Sequence, residues 1–294
     1  MAFEIQNPYA VPGEFRKAQL HCHTTESDGR FRPAELLRMY RDAGYAFVCI
    51  TDHNRVTRCE DLNDRNFVAI PGTEDTVSRV LPPLGPHMAR LFVDAPLRSG
   101  TPQDRIDRTL SEGAVVSLCH PSWNGNLWTG AWSERTIVSL RGFQLIEIWN
   151  PHSHSTEDVR RWEAALRIRG PDARLWGIAV DDCHRREQFN RGWVMVKVLE
   201  ASGPALHRAL LDGAFYASTG SAADFSVAGQ TITVRLHEQG RIRFLDARGS
   251  VRAEVDGDEA WYSIIGDEQF VRTEVRSPAG TAWSQPFWLV SSHD

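Results

Sequence analysis

The sequence has very few lysines. Among its 33 basic residues only Lys17 and Lys197 are lysine, and the arginines are scattered along the chain. With 38 acidic residues, the formal net charge is -5 at pH 7. A mild, dispersed charge gives no general attraction to nucleic acid or to anionic membranes. We therefore expect neither of them as a partner.

Long apolar runs and paired cysteines are also missing. No run approaches the roughly 18 apolar residues that a membrane span needs, and residues 1–8 have neither the basic start nor the apolar segment of a signal peptide. The five cysteines show no C-x-x-C spacing, which argues against a disulfide framework. Cys22, Cys119 and Cys183 each stand beside a candidate ligand, and we expect them to be small buried residues. These absences predict a cytoplasmic location.

The stretch from Leu20 to Gly29 contains two histidines one residue apart, His21 and His23. Side chains on a strand alternate between its two faces, so these imidazoles would point the same way and could bind one metal ion together. Asp28 follows after a turn of small polar residues and could reach the same pocket. An isolated H-x-H is weak evidence, but this one opens a series.

Further His, Asp and Glu residues stand near the ends of later apolar, strand-like runs. With the first three they form a set of nine candidate metal ligands: His21, His23, Asp28, His53, Glu74, His87, His120, Asp182 and His184. Imidazole and carboxylate are ligands of Zn, Mn and Fe, and nine exceed the needs of one ion. We predict two or three divalent ions that share a bridging carboxylate. Ions ~3.5–4 Å apart hold a hydroxide between them and stabilise a displacement at phosphorus.

Up to about residue 220 the sequence alternates between strand and helix patterns. The predicted strands cover residues 16–22, 45–50, 67–70, 114–118, 143–149, 175–180 and 193–199, and the predicted helices cover residues 32–44, 101–112, 155–169 and 204–212. Such repeated units predict an α/β fold with a parallel sheet. Because all strand carboxyl ends of a (β/α) barrel meet at one mouth, distant ligands can converge there, and we favour a barrel over an open sheet.

After Ser221 the pattern changes to the two-residue alternation of half-buried strands. Residues 231–236, 241–245, 260–264 and 270–275 are such segments, separated by turns with Gly, Asp or Pro. They predict an antiparallel β module of ~70 residues. We therefore predict two domains, a metal-binding barrel at 1–222 and a small sandwich-like β domain at 223–294.

The candidate ligands occur in an ordered series of short motifs that covers roughly residues 17–220. They are L-H-x-H at 20–23, S-D-G at 27–29, T-D-H at 51–53, G-x-E at 72–74, a lone His87, H-P at 120–121 and D-x-H at 182–184. This series resembles the PHP (polymerase and histidinol phosphatase) superfamily. The resemblance implies a distorted (β/α)7 barrel with a trinuclear metal site that hydrolyses phosphoesters. Residues 213–220 and 282–286 are similar to a subgroup related to carbaryl hydrolase.

The same resemblance implies how the ligands are shared among three ions. His21, His23, Glu74 and Asp182 would hold one ion, Glu74 would bridge to a second held by His87 and His120, and Asp28, His53 and His184 would hold the third. The implied function is that of a metal-dependent phosphoesterase acting on a small-molecule substrate, with a metal-bridging hydroxide as nucleophile. The oligomeric state is left open.

The loop after His120 departs from the family pattern. It continues as Ser122-Trp123-Asn124, where many phosphatase members place a Gly-Arg that could hold phosphate. This Trp-rich loop favours an alternative, a metal-dependent carbamate or carboxyl-ester hydrolase on the same site. Amidohydrolase barrels also open on H-x-H but often use a carboxylated lysine, and neither Lys17 nor Lys197 has a suitable position. A barrel with purely structural metal is the remaining alternative.

His152 and Asp181 are the candidates for catalytic roles other than metal binding. His152 begins a second H-x-H in a loop after a strand, so it could act as the leaving-group acid or contact the substrate. Asp181 stands beside a candidate ligand and could touch substrate or serve the structure. Asp52 and Asn54 flank another ligand, and we expect them to cap or orient it.

Overall fold

The structure is a computed structural model that describes residues 3–77 and 84–291. The strands are β1 (Phe3–Gln6), β2 (Glu14–Gln19), β3 (Tyr45–Ile50), β4 (Val68–Thr76), β5 (His87–Leu91), β6 (Val115–Leu118), β7 (Leu145–Trp149), β8 (Trp176–Ala179), β9 (Trp193–Val198), β10 (Phe215–Ser218), β11 (Ala223–Ala228), β12 (Thr231–Asp246), β13 (Val251–Ser263), β14 (Phe270–Ser277), β15 (Gly280–Trp283) and β16 (Phe287–Ser291). The helices are α1 (Pro33–Asp42), α2 (Pro102–Ser111), α3 (Gly125–Trp128), α4 (Glu134–Ser139), α5 (Ser155–Arg169) and α6 (Gly203–Asp212). Two short 3-10 helices cover Glu60–Leu62 and Pro171–Ala173.

Local sequence signals account for several of these elements. Every residue of β3 is buried, as its continuous apolar run predicts. Helix α1 begins at Pro33, which suits a first turn, and is followed by Gly44 with a positive φ of 82°. Helix α2 has a capping box, in which Thr101 and Asp104 each accept a hydrogen bond from the other's backbone N–H. No helix within the described ranges is both long and apolar enough to cross a membrane.

The strands pair along one path in the order β1-β16-β14-β15-β10-β9-β2-β3-β4-β5-β6-β7-β8. Off this path, β12 pairs with β14, and β11 and β13 both pair with β12. The predicted parallel pairing is found within β2-β3-β4 and within β6-β7-β8. Two strands differ: β5 is antiparallel to β4 and β6, and β9 is antiparallel to β2. The first residue of β5, His87, therefore lies at the edge where the neighbouring parallel strands end.

Strand β2 ends earlier than predicted, and the residues after it join strands that are distant in the sheet order. The backbone N–H of Asp182 donates to the carbonyl of His21 (3.0 Å), and the N–H of His23 donates to the carbonyl of Cys183 (3.0 Å). Thr51, just after β3, donates its N–H to the carbonyl of Cys22 (2.9 Å). These bonds bring the ends of β2, β3 and β8 together, which positions the ligand segments.

The C-terminal region is antiparallel, as predicted, but its strands are longer. The two predicted segments at 231–236 and 241–245 are halves of the single strand β12, whose pairing with β13 is irregular between Arg235 and Gly240. The N-terminal strand β1, which the sequence pattern did not reveal, pairs with β16. The domain boundary between residues 222 and 223 remains a prediction.

Two buried contacts join helix α5 and strand β8 to the C-terminal region. The guanidinium of Arg272 in β14 donates through Nε to a carboxylate oxygen of Glu163 in α5 (2.8 Å). The side-chain amide of Gln285 exchanges two hydrogen bonds with the backbone of Gly177 in β8, at 2.9 and 2.8 Å. The antiparallel region is thus packed directly against the strands that lead to the ligands.

Candidate metal centre

The structure brings all nine predicted ligands to one edge of the sheet, where the parallel strands end. Seven of them border a cavity of about 580 Å³: Asp28, His53, Glu74, His87, His120, Asp182 and His184. The other two, His21 and His23, are fully buried and lie within 3.3 Å of the carboxylates of Glu74 and Asp182. Residues separated by more than 160 positions in the sequence therefore share one site.

The first group consists of His21, His23, Glu74 and Asp182. The Nε2 atoms of the two histidines are 3.1 Å apart. Glu74 Oε2 lies 3.2 Å from the Nε2 of His21 and 3.1 Å from that of His23, and Asp182 Oδ1 lies 3.3 and 3.2 Å from the same two atoms. Four potential donor atoms thus face a common point, as the ligands of one ion would.

The second group uses the other oxygen of Glu74. Glu74 Oε1 lies 2.8 Å from the Nδ1 of His87 and 3.1 Å from the Nε2 of His120. Glu74 therefore faces histidines with both of its carboxylate oxygens, and Oε2 also lies 3.2 Å from the Nδ1 of His53. This is the arrangement expected of a carboxylate that bridges two ions.

The third group is more exposed and surrounds Asp28. Its Oδ1 lies 3.3 Å from the Nε2 of His184 and 3.7 Å from the Nδ1 of His23, and its Oδ2 lies 3.5 Å from the Nε2 of His53. The Asp28 side chain is 53% exposed, whereas Glu74 is 1% exposed. An ion held here would face the open side of the cavity.

Unpaired buried atoms support this assignment of the donors to metal binding. Oδ1 of Asp182 and the Nδ1 of His53, which lies 3.2 Å from Glu74 Oε2, are buried and have no hydrogen-bond partner among the described residues. Buried polar atoms are rarely left unpaired in native proteins. A cation would satisfy Asp182 Oδ1 and the imidazole lone pairs around it, and mixed nitrogen and oxygen donors suit Zn, Mn or Fe. The donor set therefore fits divalent metal ions.

The charges of the site are strongly coupled. Burial alone would lower the pKa of His23, but the carboxylates of Asp182 and Glu74 outweigh it and raise this pKa to about 9. The pKa of His21 is also raised, because the attraction of Asp182, Glu74 and Glu147 exceeds the effect of burial. The surrounding imidazoles hold the pKa values of Glu74 and Asp182 well below their usual range, although burial opposes this. In the metal-free protein, bound protons therefore take the place of cations.

Two ligands have an unusual backbone conformation. His120 and Asp182 have positive φ angles of 28° and 46°. Such angles are uncommon for residues other than glycine and tend to occur at functional sites, where the surrounding structure maintains the strain. Both residues lie two or three positions after the end of a strand, β6 or β8, and both border the cavity.

Sequence reasoning missed Glu147, a buried residue in the middle of β7. Its Oε1 lies 2.6 Å from the Nδ1 of His21, and its Oε2 accepts hydrogen bonds from the backbone N–H of His120 (2.6 Å) and from the Asn150 side chain (2.8 Å). One signal was available: a single acidic residue within the apolar strand at 143–149. A buried carboxylate in such a strand needs partners, and here the partners include two predicted ligands.

Asp52 supports the ligand turn, in line with its expected accessory role. Its carboxylate accepts hydrogen bonds from the N–H and the hydroxyl of Thr24 (both 2.7 Å) and from the hydroxyl of Ser27 (2.7 Å). These contacts hold the turn that carries Asp28. Asn54 accepts a hydrogen bond from the N–H of Thr76 (3.3 Å), close to the end of β4.

The position of Asp181 does not support a catalytic role. The residue is fully buried, and its carboxylate accepts hydrogen bonds from three consecutive backbone N–H groups at residues 190–192 (2.5, 2.5 and 2.8 Å) and from the hydroxyl of Tyr40 (3.0 Å). It is absent from the described lining of the cavity. The alternative interpretation, a structural carboxylate that holds the loop before β9, agrees with these contacts.

His152 borders the cavity, as its predicted role requires. Its Nε2 lies 2.8 Å from the side-chain amide nitrogen of Gln188 and 4.0 Å from Asp182 Oδ2. Burial lowers the pKa of His152, so the imidazole is neutral at pH 7. A neutral imidazole is better suited to a substrate contact than to donating a proton as a strong acid.

The three tryptophans of the loop after His120 have different environments. The ring of Trp123 borders the cavity, and its centroid lies 4.8 Å from that of His120 and 5.4 Å from that of His87. Trp132 is buried and donates its indole N–H to the carbonyl of His87 (2.9 Å). Trp128 is 82% exposed. Of these three, Trp123 alone forms part of the cavity wall.

A solved structure with a similar overall fold supports the architecture described above. No family model matches the chain, and no curated protein matches it in sequence. A solved two-domain protein from Bacteroides vulgatus, which contains a predicted PHP-like metal-dependent phosphoesterase, is 17% identical with a TM-score of 0.54, covering 96% of this chain and 99% of that one. A candidate metal-dependent phosphoesterase from Bifidobacterium adolescentis is 15% identical with a TM-score of 0.46, covering 67% of this chain and 96% of that one.

The fold and the site together define the class of protein. The chain is a mixed α/β protein with parallel strands, a C-terminal antiparallel β region and clusters of His, Asp and Glu that could hold metal ions. Its overall architecture is similar to that of the two-domain protein from Bacteroides vulgatus.

Proposed function

We propose that the chain is a metal-dependent phosphoesterase of the PHP type. The observation that carries the proposal is the convergence of nine His, Asp and Glu side chains, with Glu74 facing histidines through both of its oxygens. The fold neighbour that contains a predicted PHP-like phosphoesterase is consistent with it. The hydrogen bonds between residues 21–23 and 182–183 also support closure of the strands into a distorted (β/α)7 barrel.

The proposed centre is trinuclear. His21, His23, Glu74 and Asp182 would hold one ion, Glu74 with His87 and His120 a second, and Asp28, His53 and His184 a third. Divalent ions in such a cluster supply a hydroxide nucleophile at neutral pH and stabilise the charge that develops at phosphorus.

Residues at the rim of the cavity would bind the substrate. Arg30 and Arg185 are exposed and border the cavity, so their guanidinium groups are available to attract an anionic phosphoester. His152 accepts a hydrogen bond from the Gln188 amide at Nε2, so the neutral ring would donate one hydrogen bond to the substrate through Nδ1. Trp123 would pack against the group attached to the phosphate and exclude water from that side.

The decisive test combines metal removal with one substitution. We expect chelation to abolish hydrolysis of p-nitrophenyl phosphate and added Mn²⁺ or Zn²⁺ to restore it. His23→Ala removes a ligand that contacts two of the three groups, so turnover should fall by at least about 100-fold. The matched control is His237→Ala, which removes an exposed histidine paired with Asp224 in the C-terminal region. Full turnover by His23→Ala would exclude the proposal.

The cavity wall favours one second candidate, a carbamate or carboxyl-ester hydrolase that uses the same metal ions. The apolar ring of Trp123 borders the cavity beside His87 and His120, to which it is inclined by 49° and 69°, and it could pack on an aryl group there. Turnover of a phosphomonoester, a phosphodiester and an aryl carbamate should be compared with the same metal-loaded protein. The phosphoesterase proposal requires a phosphoester to be the best of these substrates.

A further inference from the structure

We infer that Glu147 is a positioning residue that fixes the tautomer of His21 and anchors the segment of His120 in the same metal site. The inference rests on the proposed metal binding at this site, but not on the reaction. Glu147 is fully buried in β7 and borders neither the cavity nor solvent among the described residues. Its carboxylate therefore acts on the site through other residues.

The contacts of Glu147 determine which nitrogen of His21 carries a proton. An ionised carboxylate can only accept hydrogen bonds. At 2.6 Å from Glu147 Oε1, the Nδ1 of His21 must therefore donate a proton to it. With the proton on Nδ1, the Nε2 of His21 can present its lone pair to the point where Glu74 and His23 also converge.

The second oxygen of Glu147 extends this control to the rest of the site. Oε2 accepts from the backbone N–H of His120 and from the side-chain amide of Asn150. The same amide nitrogen of Asn150 lies 3.2 Å from Oδ2 of Asp182. One buried carboxylate thus connects the segments that follow β2, β6, β7 and β8. It contacts His21 and His120 directly, and it reaches Asp182 through Asn150.

Replacing the carboxylate by an amide would create a conflict that has no good solution. A glutamine side chain offers one oxygen acceptor and one NH₂ donor in place of two acceptors. If the glutamine oxygen faces His120 and Asn150, its NH₂ group faces His21 Nδ1, which must then accept a hydrogen bond. The proton of His21 moves to Nε2, where it blocks metal binding. If its oxygen faces His21, the NH₂ group opposes two other donors. Either orientation weakens the site.

The test compares zinc affinities of Glu147→Gln and a matched control by competition with a chelator. The control is Glu163→Gln, which also removes a buried carboxylate, one bound by Arg272 in the contact between α5 and β14. We expect Glu147→Gln to weaken zinc binding by about 10- to 100-fold and Glu163→Gln to leave it unchanged. A zinc affinity of Glu147→Gln equal to that of the wild type would overturn the inference.

A measurement on the wild type keeps the inference falsifiable if Glu147→Gln does not fold. Nitrogen-15 NMR of the zinc-loaded protein distinguishes a protonated from an unprotonated Nδ1 on His21, and we expect the proton on Nδ1. An unprotonated Nδ1 would refute the inference. Neither readout uses phosphoester turnover, so a protein that binds zinc but hydrolyses no phosphoester would refute the proposed function alone.

Discussion

Glu74 and Asp182 illustrate how buried charge shapes this site. Each carboxylate is buried and has mainly imidazoles as neighbours. Removing an ionised carboxylate from water costs several kcal/mol unless opposite charge compensates it. In the metal-free protein that charge comes from protonated histidines, which is why the pKa of His23 is raised to about 9. Metal ions would replace these protons.

This exchange predicts how metal-dependent stability varies with pH. Because the folded-state pKa of His23 lies above its ordinary value of 6.5, the proton stabilises the metal-free protein fully below pH 6.5, and this stabilisation is lost as the pH rises through about 9. The metal-loaded protein does not depend on that proton. The increase in Tm caused by stoichiometric Zn²⁺ should therefore grow between pH 6.5 and 9, as thermal unfolding can measure. A constant or shrinking increase would contradict this linkage.

Asp181→Asn separates a structural role from a catalytic one. The asparagine oxygen cannot accept all the hydrogen bonds of the carboxylate, so we expect the free energy of unfolding to fall by about 1–3 kcal/mol. Turnover per folded, metal-loaded molecule should stay within about twofold of the wild type. Asp172→Asn, at an exposed position, is the control and should change the stability by less than about 0.5 kcal/mol. A large loss of turnover without a loss of stability would restore the catalytic interpretation.

At this scale the candidate ligands could be named from the sequence because most of them follow recognisable strands. His120 and Asp182 could be placed from the apolar runs before them. Glu147 could not, since its importance depends on a contact between β7 and the end of β2 that no periodicity encodes. The role of Asp181 could not be decided from the sequence for a related reason. Its hydrogen-bond partners are backbone N–H groups of a loop whose sequence has no regular pattern.

The elements themselves were predictable in kind but not always in direction. Strand β3 and helix α5 were predicted with the bounds that the structure has. Strand β5 was not among the predicted strands, and the antiparallel direction of β9 was not predicted, because alternation and apolarity identify a strand without giving its orientation. Strand β1 has four residues, too few for a periodic signal. Because β5 runs antiparallel to β4, its first residue, His87, lies at the edge of the sheet where the other candidate ligands are.

Gly220, between β10 and β11, has a specific structural role. Its φ is 155°, and a Cβ atom at this position would lie 1.8 Å from the carbonyl oxygen of Ala279, in the turn between β14 and β15. Gly220→Ala should therefore force the two segments apart and lower the free energy of unfolding by more than about 2 kcal/mol.

Gly229→Ala is the matched control for Gly220→Ala. Its φ is also positive, at 57°, but no described heavy atom would lie within 4 Å of the added Cβ. It should cost only the backbone strain of about 1–2 kcal/mol. Urea denaturation of both variants measures the difference, and equal losses would show that the contact with Ala279 is unimportant.

At the scale of the whole molecule, the predicted barrel segment and the C-terminal strands belong to one continuous sheet. Strand β10 pairs with β15, β1 pairs with β16, and buried Arg272 binds Glu163 across the same junction. Removing one charged partner of a buried ion pair lowers the free energy of unfolding by about 3–5 kcal/mol. The C-terminal region therefore contributes to holding the strands that carry the ligands.

The pairing of β1 with β16 has a consequence for how the protein is made. Residues 3–6 leave the ribosome about 280 residues before their partners at 288–291. At synthesis rates of about 5–20 residues per second, β1 waits on the order of tens of seconds before it can pair. Phe3 and Ile5 alternate with the polar residues Glu4 and Gln6. This alternation limits the apolar surface that unpaired β1 exposes to other nascent chains.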